Sequence, residues 1–149
     1  MQYIATIFLG ILLISCNATK VIAQDNIQSA SYQSWVAGVR GGGGGIIFNL
    51  KLNSEFPKEV VLKRLIFKGY EVSFNEINPV TYQAAINTGV NQERVNGSNN
   101  STSSSKNSTK LKDNEAILIF LKDGKEIQQK ISNVEKMPSL EYPSANPKF

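Results

Sequence analysis

The stretch that most constrains what this chain can fold into lies in its last third. Residues 115–121 (EAILIFL) are followed at once by Lys122-Asp123-Gly124-Lys125, and then by residues 126–131 with Ile127 and Ile131 on one side. Asp-Gly supplies the two positive φ angles of a type I′ turn, so the flanking runs pair as an antiparallel β-hairpin. An isolated hairpin is marginal in water and needs further strands to cover its apolar face. The chain supplies them upstream. Residues 46–53 (IIFNLKLN) set Ile46, Phe48, Leu50 and Leu52 on one face and Asn49, Lys51 and Asn53 on the other, the period of a half-buried strand. Residues 34–39 (SWVAGV) form a partner strand before it, and residues 60–67 (VVLKRLIF) a third, introduced by Pro57. After Lys68-Gly69, Tyr70, Val72 and Phe74 alternate with Glu71 and Ser73, and residues 82–87 add a further strand.

Short strands at regular spacing without a helical period predict an all-β chain. A small β-sandwich of immunoglobulin-like arrangement is the first expectation and a small β-barrel the alternative. Trp35 and the strand Phe and Tyr residues are assigned to core or sheet packing. Residues 88–113, centred on NGSNNSTSSSKNSTK, hold almost nothing apolar to bury and are expected to be a mobile surface loop. The tail from Pro138, with Pro143 and Pro147, is expected to end irregularly.

Composition narrows the chemistry. The chain has no histidine, which removes the commonest general base and the commonest zinc or iron ligand. Its one cysteine allows neither an intramolecular disulfide nor a cysteine-rich metal cluster. No cofactor or metal is expected. The net charge of +4 comes from Lys scattered among Asp and Glu, with no basic run interleaved with aromatics, so nucleic acid is not expected as a partner.

The N-terminus has a different character. Residues 1–15 carry no charge, and residues 4–14 (IATIFLGILLI) form an apolar run broken by Thr6, about half of the ~20 residues that a helix needs to cross a bilayer. That length suits the apolar region of a signal peptide. Directly after it stands Leu13-Ile14-Ser15-Cys16, which resembles the lipobox of bacterial lipoproteins: an aliphatic residue, then a small residue, then the cysteine that accepts lipid. The resemblance covers only the leader and Cys16, and Met1-Gln2-Tyr3 lacks the Lys or Arg with which signal peptides usually begin. It implies that a diacylglyceryl group is attached to Cys16, that the preceding peptide is removed, and that the new amine is acylated, for example with palmitate. Two or three acyl chains hold a protein on a membrane where one does not, at about 0.8 kcal/mol per buried methylene. In the family's sorting scheme an Asp after the cysteine retains a protein at the inner membrane; Asn17 here implies the outer membrane. The competing reading is a soluble secreted or periplasmic domain, cleaved after Val21-Ile22-Ala23. The domain plan is therefore a signal peptide at 1–15, a lipid-anchored tether at 16–33 and one β-rich domain at 34–149.

Candidate sites are few. Arg40 precedes Gly41, Gly42, Gly43, Gly44 and Gly45, and backbone N–H groups of a glycine run can cradle a ligand. The phosphate loop needs Gly-Lys-Ser/Thr leading into a helix, whereas Ile46-Ile47 leads into a strand. A flexible turn between sheet strands is the primary reading, and a binding loop for a ligand or peptide the alternative. The carboxylates Glu55 with Glu59, and Asp113 with Glu115, match no glycosidase or calcium-loop spacing and are taken as surface charge. No Gly-x-Ser-x-Gly elbow occurs. The Asn-x-Ser/Thr triplets at Asn17, Asn96, Asn99, Asn100 and Asn107 follow from an Asn/Ser-rich composition. These features point to a membrane-anchored, non-enzymatic binding or structural module of the cell envelope, with an envelope protein or peptide as partner. A lipid-anchored hydrolase is the enzyme alternative.

Overall fold

Alternation decides most of the architecture. The computed structural model describes residues 22, 24–91 and 105–143. Among them a single 3-10 turn (Gln24–Asn26) precedes ten strands: β1 (Ile27–Ala37), β2 (Gly44–Leu52), β3 (Val60–Phe67), β4 (Tyr70–Ser73), β5 (Asn75–Asn78), β6 (Thr81–Asn87), β7 (Ser105–Lys106), β8 (Ala116–Lys122), β9 (Lys125–Ile131) and β10 (Glu135–Tyr142). They form two five-stranded sheets, ordered β10-β1-β2-β6-β5 and β7-β4-β3-β8-β9. Among the described residues each sheet ends on two strands that pair on one side only, the arrangement of a sandwich and not of a closed barrel. Without the outermost β10 and β7, the orders β1-β2-β6-β5 and β4-β3-β8-β9 reproduce the A-B-E-D and C′-C-F-G arrangement of immunoglobulin-like sandwiches. All pairings are antiparallel except β1 with β10, where the chain leaves β9, crosses between the sheets and runs beside β1.

The hairpin signals translate directly. Asp123 (φ 50°) and Gly124 (φ 74°) turn β8 into β9, and Lys68 (φ 48°) and Gly69 (φ 79°) turn β3 into β4 by the same two-residue geometry. The core is the inward register of both sheets: Phe48, Leu50 and Ile86 from one, Leu65, Phe67, Leu118 and Phe120 from the other, all essentially inaccessible. Ala84 stands opposite Phe48, small against large. Phe67 meets Tyr32 at 5.0 Å and Phe48 at 5.2 Å between ring centroids, while Phe56 from the β2–β3 connection closes the other end on Phe120 at 5.5 Å. In β3 the inward positions shift from Val60 and Leu62 to Leu65 and Phe67, because a bulge between Leu62 and Arg64 absorbs one residue.

Three expectations require correction. The tether was expected to reach residue 33, but β1 starts at Ile27 and the chain is already tied to the domain before it. Asn26 exchanges hydrogen bonds with Ser54, and the Asn53 side chain donates to the Asp25 carbonyl at 2.7 Å. Its small and polar residues conceal the period: Ala30 and Tyr32 point inward, with Ser31 between them and Gln and Ser on either side. The irregular tail from Pro138 is instead part of β10; Pro138 lies on an edge strand next to a register shift, where its missing N–H leaves no partner unsatisfied, and its carbonyl accepts from Gln33 Nε2 at 2.7 Å. In the expected 88–113 loop, Ser105 and Lys106 pair with β4 as β7, and Thr88 and Asn91 bond back to the sheet. The centre of that segment, residues 92–104, lies outside the described residues.

Candidate functional site

The glycine run is the connection between β1 and β2. Arg40 and Gly41 stand exposed at its tip, while Gly43, Gly44 and Gly45 are buried, the last two within β2. Gly41 (φ 80°) and Gly43 (φ 83°) take backbone conformations that side chains resist. Of the amides an anion cradle would use, Gly42 N–H donates to the Val39 carbonyl at 3.1 Å and Gly43 N–H to the Asn91 carbonyl at 3.1 Å. Asn91 returns its side-chain amide to the carbonyls of Ala37 and Val39 at 2.8 and 2.9 Å, fastening the start of the next loop to this hairpin.

Gly45 has a separate role. It is the cross-strand partner of Trp35, and a Cβ there would collide with the Ile86 carbonyl and sit 2.9 Å from the indole Nε1. The absent side chain lets the indole lie across β2 on the outer face of the first sheet. Tyr142, at the end of β10, closes on Trp35 edge-on at 6.1 Å. Trp35 therefore packs on the sheet, outside the core cluster, next to the half-buried Leu140 and the exposed Met137. This aromatic corner is the site that Arg40 and the glycines border.

The outer face of the second sheet is ionic. Arg64 on β3 bonds Glu71 on β4 and, at 2.6 Å, Glu126 on β9, while Asn107 Nδ2 donates to the second Glu71 oxygen at 3.0 Å. The bond to Glu126 is the main influence that raises the Arg64 pKa above its ordinary value. Lys68 reaches Asp113 at 2.9 Å and lies 5.0 Å over the Tyr32 ring. Burial pushes the Lys68 pKa down, but the Asp113 hydrogen bond and the interaction with Tyr32 together raise it. The sequence candidates Asp113 and Glu115 have lowered pKa values, the first through its bond to Lys68, the second through the Lys112 N–H and then Lys130. Such carboxylates stay ionised and serve as structural ion pairs. Glu55 and Glu59 are exposed in the β2–β3 connection.

The third feature was not read from the sequence. Ile22 is 4% exposed and belongs to the core cluster. Its N–H donates to Gln129 Oε1 at 3.0 Å, and Gln129 Nε2 donates to its carbonyl at 3.0 Å, so one side-chain amide does what a strand neighbour would do. Gln129 is 8% exposed, the buried polar residue of the described chain. The readable signal was its position: Gln129 stands between Ile127 and Ile131 in the inward register of β9, where an amide needs a partner. Beside this clamp a polar recess of about 220 Å³ opens between β1 and the end of β9, lined by Gln24, Gln28, Ser29, Ser132 and Asn133 over Ile27, Ala30 and Ile131. Cys16, the expected lipid-attachment residue, lies outside the described residues.

Among the described residues no group of three His, Cys, Asp or Glu is placed to hold a metal ion, and no helix is long and apolar enough to cross a membrane. The arrangement offers aromatic contact, amide hydrogen bonding and sheet edges. Comparison with protein-family models, with curated proteins and with solved structures finds no match for this chain.

Proposed function

We propose that the chain is the precursor of a bacterial lipoprotein, held through lipid on Cys16 and presenting its sandwich as a binding or structural module of the cell envelope, at the outer membrane. The observation that carries this reading is the burial of Ile22 in the core with both its backbone groups bonded to Gln129. Cleavage before Cys16 keeps that residue. Cleavage before Gln24, which a soluble secreted form requires, removes Ile22 from the core together with both of its hydrogen bonds to Gln129. The four sheet edges β10, β5, β7 and β9 give a protein or peptide partner main-chain groups to pair with.

The test is Cys16→Ser expressed in a bacterial host with labelled palmitate, followed by fractionation. The unaltered chain should carry label and sediment with membranes, and the variant should carry none. Label retained by the variant, or an unlabelled natural product beginning at Gln24, would overturn the proposal.

A further inference from the structure

The position of Ile22 sets how far the domain can stand from an anchor at Cys16. A tether running to residue 33 would give the sandwich wide freedom above a bilayer. The clamp ends that freedom early: Ile22 is fixed to Gln129 by two hydrogen bonds and by its place in the core, which leaves only residues 17–21 between the anchored cysteine and the folded chain. Six residue steps reach at most about 20–22 Å even when fully extended, at roughly 3.3–3.6 Å each. The first sheet is about 14 Å wide from β1 to β5, at roughly 4.8 Å per strand spacing, so the reach is comparable to the sandwich itself.

We infer that the flank of the sandwich formed by the start of β1 and the end of β9 is a membrane-facing surface, held against phospholipid headgroups by the five-residue leash between Cys16 and Ile22. This rests on the lipoprotein reading. The chemistry of the flank suits that surface. Its recess presents Gln24, Gln28, Ser29, Ser132 and Asn133, amides and hydroxyls that hydrogen-bond phosphate and glycerol oxygens. The adjoining charges Asp25, Glu135 and Lys136 are exposed and of both signs, so the leash sets the orientation and charge attraction does not. Salt should leave the orientation in place. The β5 edge, with Ile77 60% exposed, lies across the sheet from this flank and faces away from lipid.

Because Cys16 is the chain's one cysteine and its sulfur is alkylated in the lipidated protein, a single introduced thiol can be labelled uniquely. The full lipidated chain carrying Ser132→Cys, and separately Ile77→Cys, is labelled with an environment-sensitive fluorophore and reconstituted into phosphatidylethanolamine/phosphatidylglycerol vesicles containing a headgroup-nitroxide phosphatidylcholine. The probe at residue 132 should be quenched severalfold more than the probe at residue 77, at low and at high salt. A flexible insertion after Asn17 should reduce that contrast. Equal quenching at the two sites, stronger quenching at residue 77, or a contrast unmoved by the insertion would overturn the inference. The mass of the purified protein reports separately whether Cys16 carries lipid, so failure of the anchor and failure of the orientation give different results.

Discussion

Single residues hold this fold at places where their chemistry is unusual for their position. Gly45 is the clearest, because a methyl group there meets a backbone carbonyl of the neighbouring strand as well as an indole, and the backbone cannot yield as a side-chain end can. Gly45→Ala should cost about 1–3 kcal/mol, the usual range for overpacking, read as a lower urea midpoint. It should also shift the emission of Trp35, the chain's only tryptophan, to longer wavelength as the indole lifts off β2. An unchanged midpoint and spectrum would show that the strand relaxes around the methyl. Gln129 is unusual in the opposite sense, a polar group in an apolar register whose side-chain amide bonds both backbone groups of Ile22. The start of the glycine run was legible as a turn, although Gly44 and Gly45 belong to β2, and its partner Asn91 lies about fifty residues downstream with nothing local to link them.

Elements follow local rules where neighbours in sequence are neighbours in space. The β3–β4 and β8–β9 hairpins were readable because turn chemistry and alternation agree over a dozen residues. By contrast β10 is a proline-containing, mostly exposed strand whose pairing with β1 joins residues about a hundred apart. Its residues carry no alternation strong enough to mark it. The connection before β8 is fixed by ion pairs, and these make its stability depend on pH. Asp113 and Glu115 have folded-state pKa values below 3.8 and 4.5, their ordinary values. A group whose pKa is lowered by folding contributes stability above its unfolded value and loses it as pH falls through its folded value. The urea midpoint should therefore hold near neutral pH and decline on acidification from about 4.5 downward. Glu115→Gln should flatten the decline, because the neutral amide no longer titrates. A midpoint falling just as steeply in that variant would assign the acid sensitivity to other carboxylates.

At the scale of the molecule the sandwich is an immunoglobulin-like arrangement without the inter-sheet disulfide found in antibody domains, its only cysteine standing ahead of the fold. Cohesion between the sheets rests on apolar burial, above all the Phe48, Phe67 and Phe120 layer. Ile22 adds to the same core, so a chain beginning at Asn17 should be more stable than one beginning at Gln24 by about 2–4 kcal/mol, combining the burial of one isoleucine with its two hydrogen bonds to the Gln129 amide. Equal urea midpoints for the two chains would show that Ile22 is dispensable, and would remove the argument against cleavage at Gln24. The sequence by itself determined the fold class, the main strands and their inward faces, because a period of two and the positive φ of Asp-Gly are local properties. It also contained the apolar leader and the Leu13 to Cys16 motif, which are read without any fold. Only the tertiary structure decided the sheet order, the pairing of β1 with β10, the packing of Trp35 over Gly45 and the burial of Ile22. Each of these depends on contacts between residues far apart in the chain, whose closeness comes from how two sheets stack and cannot be inferred from the residues beside them.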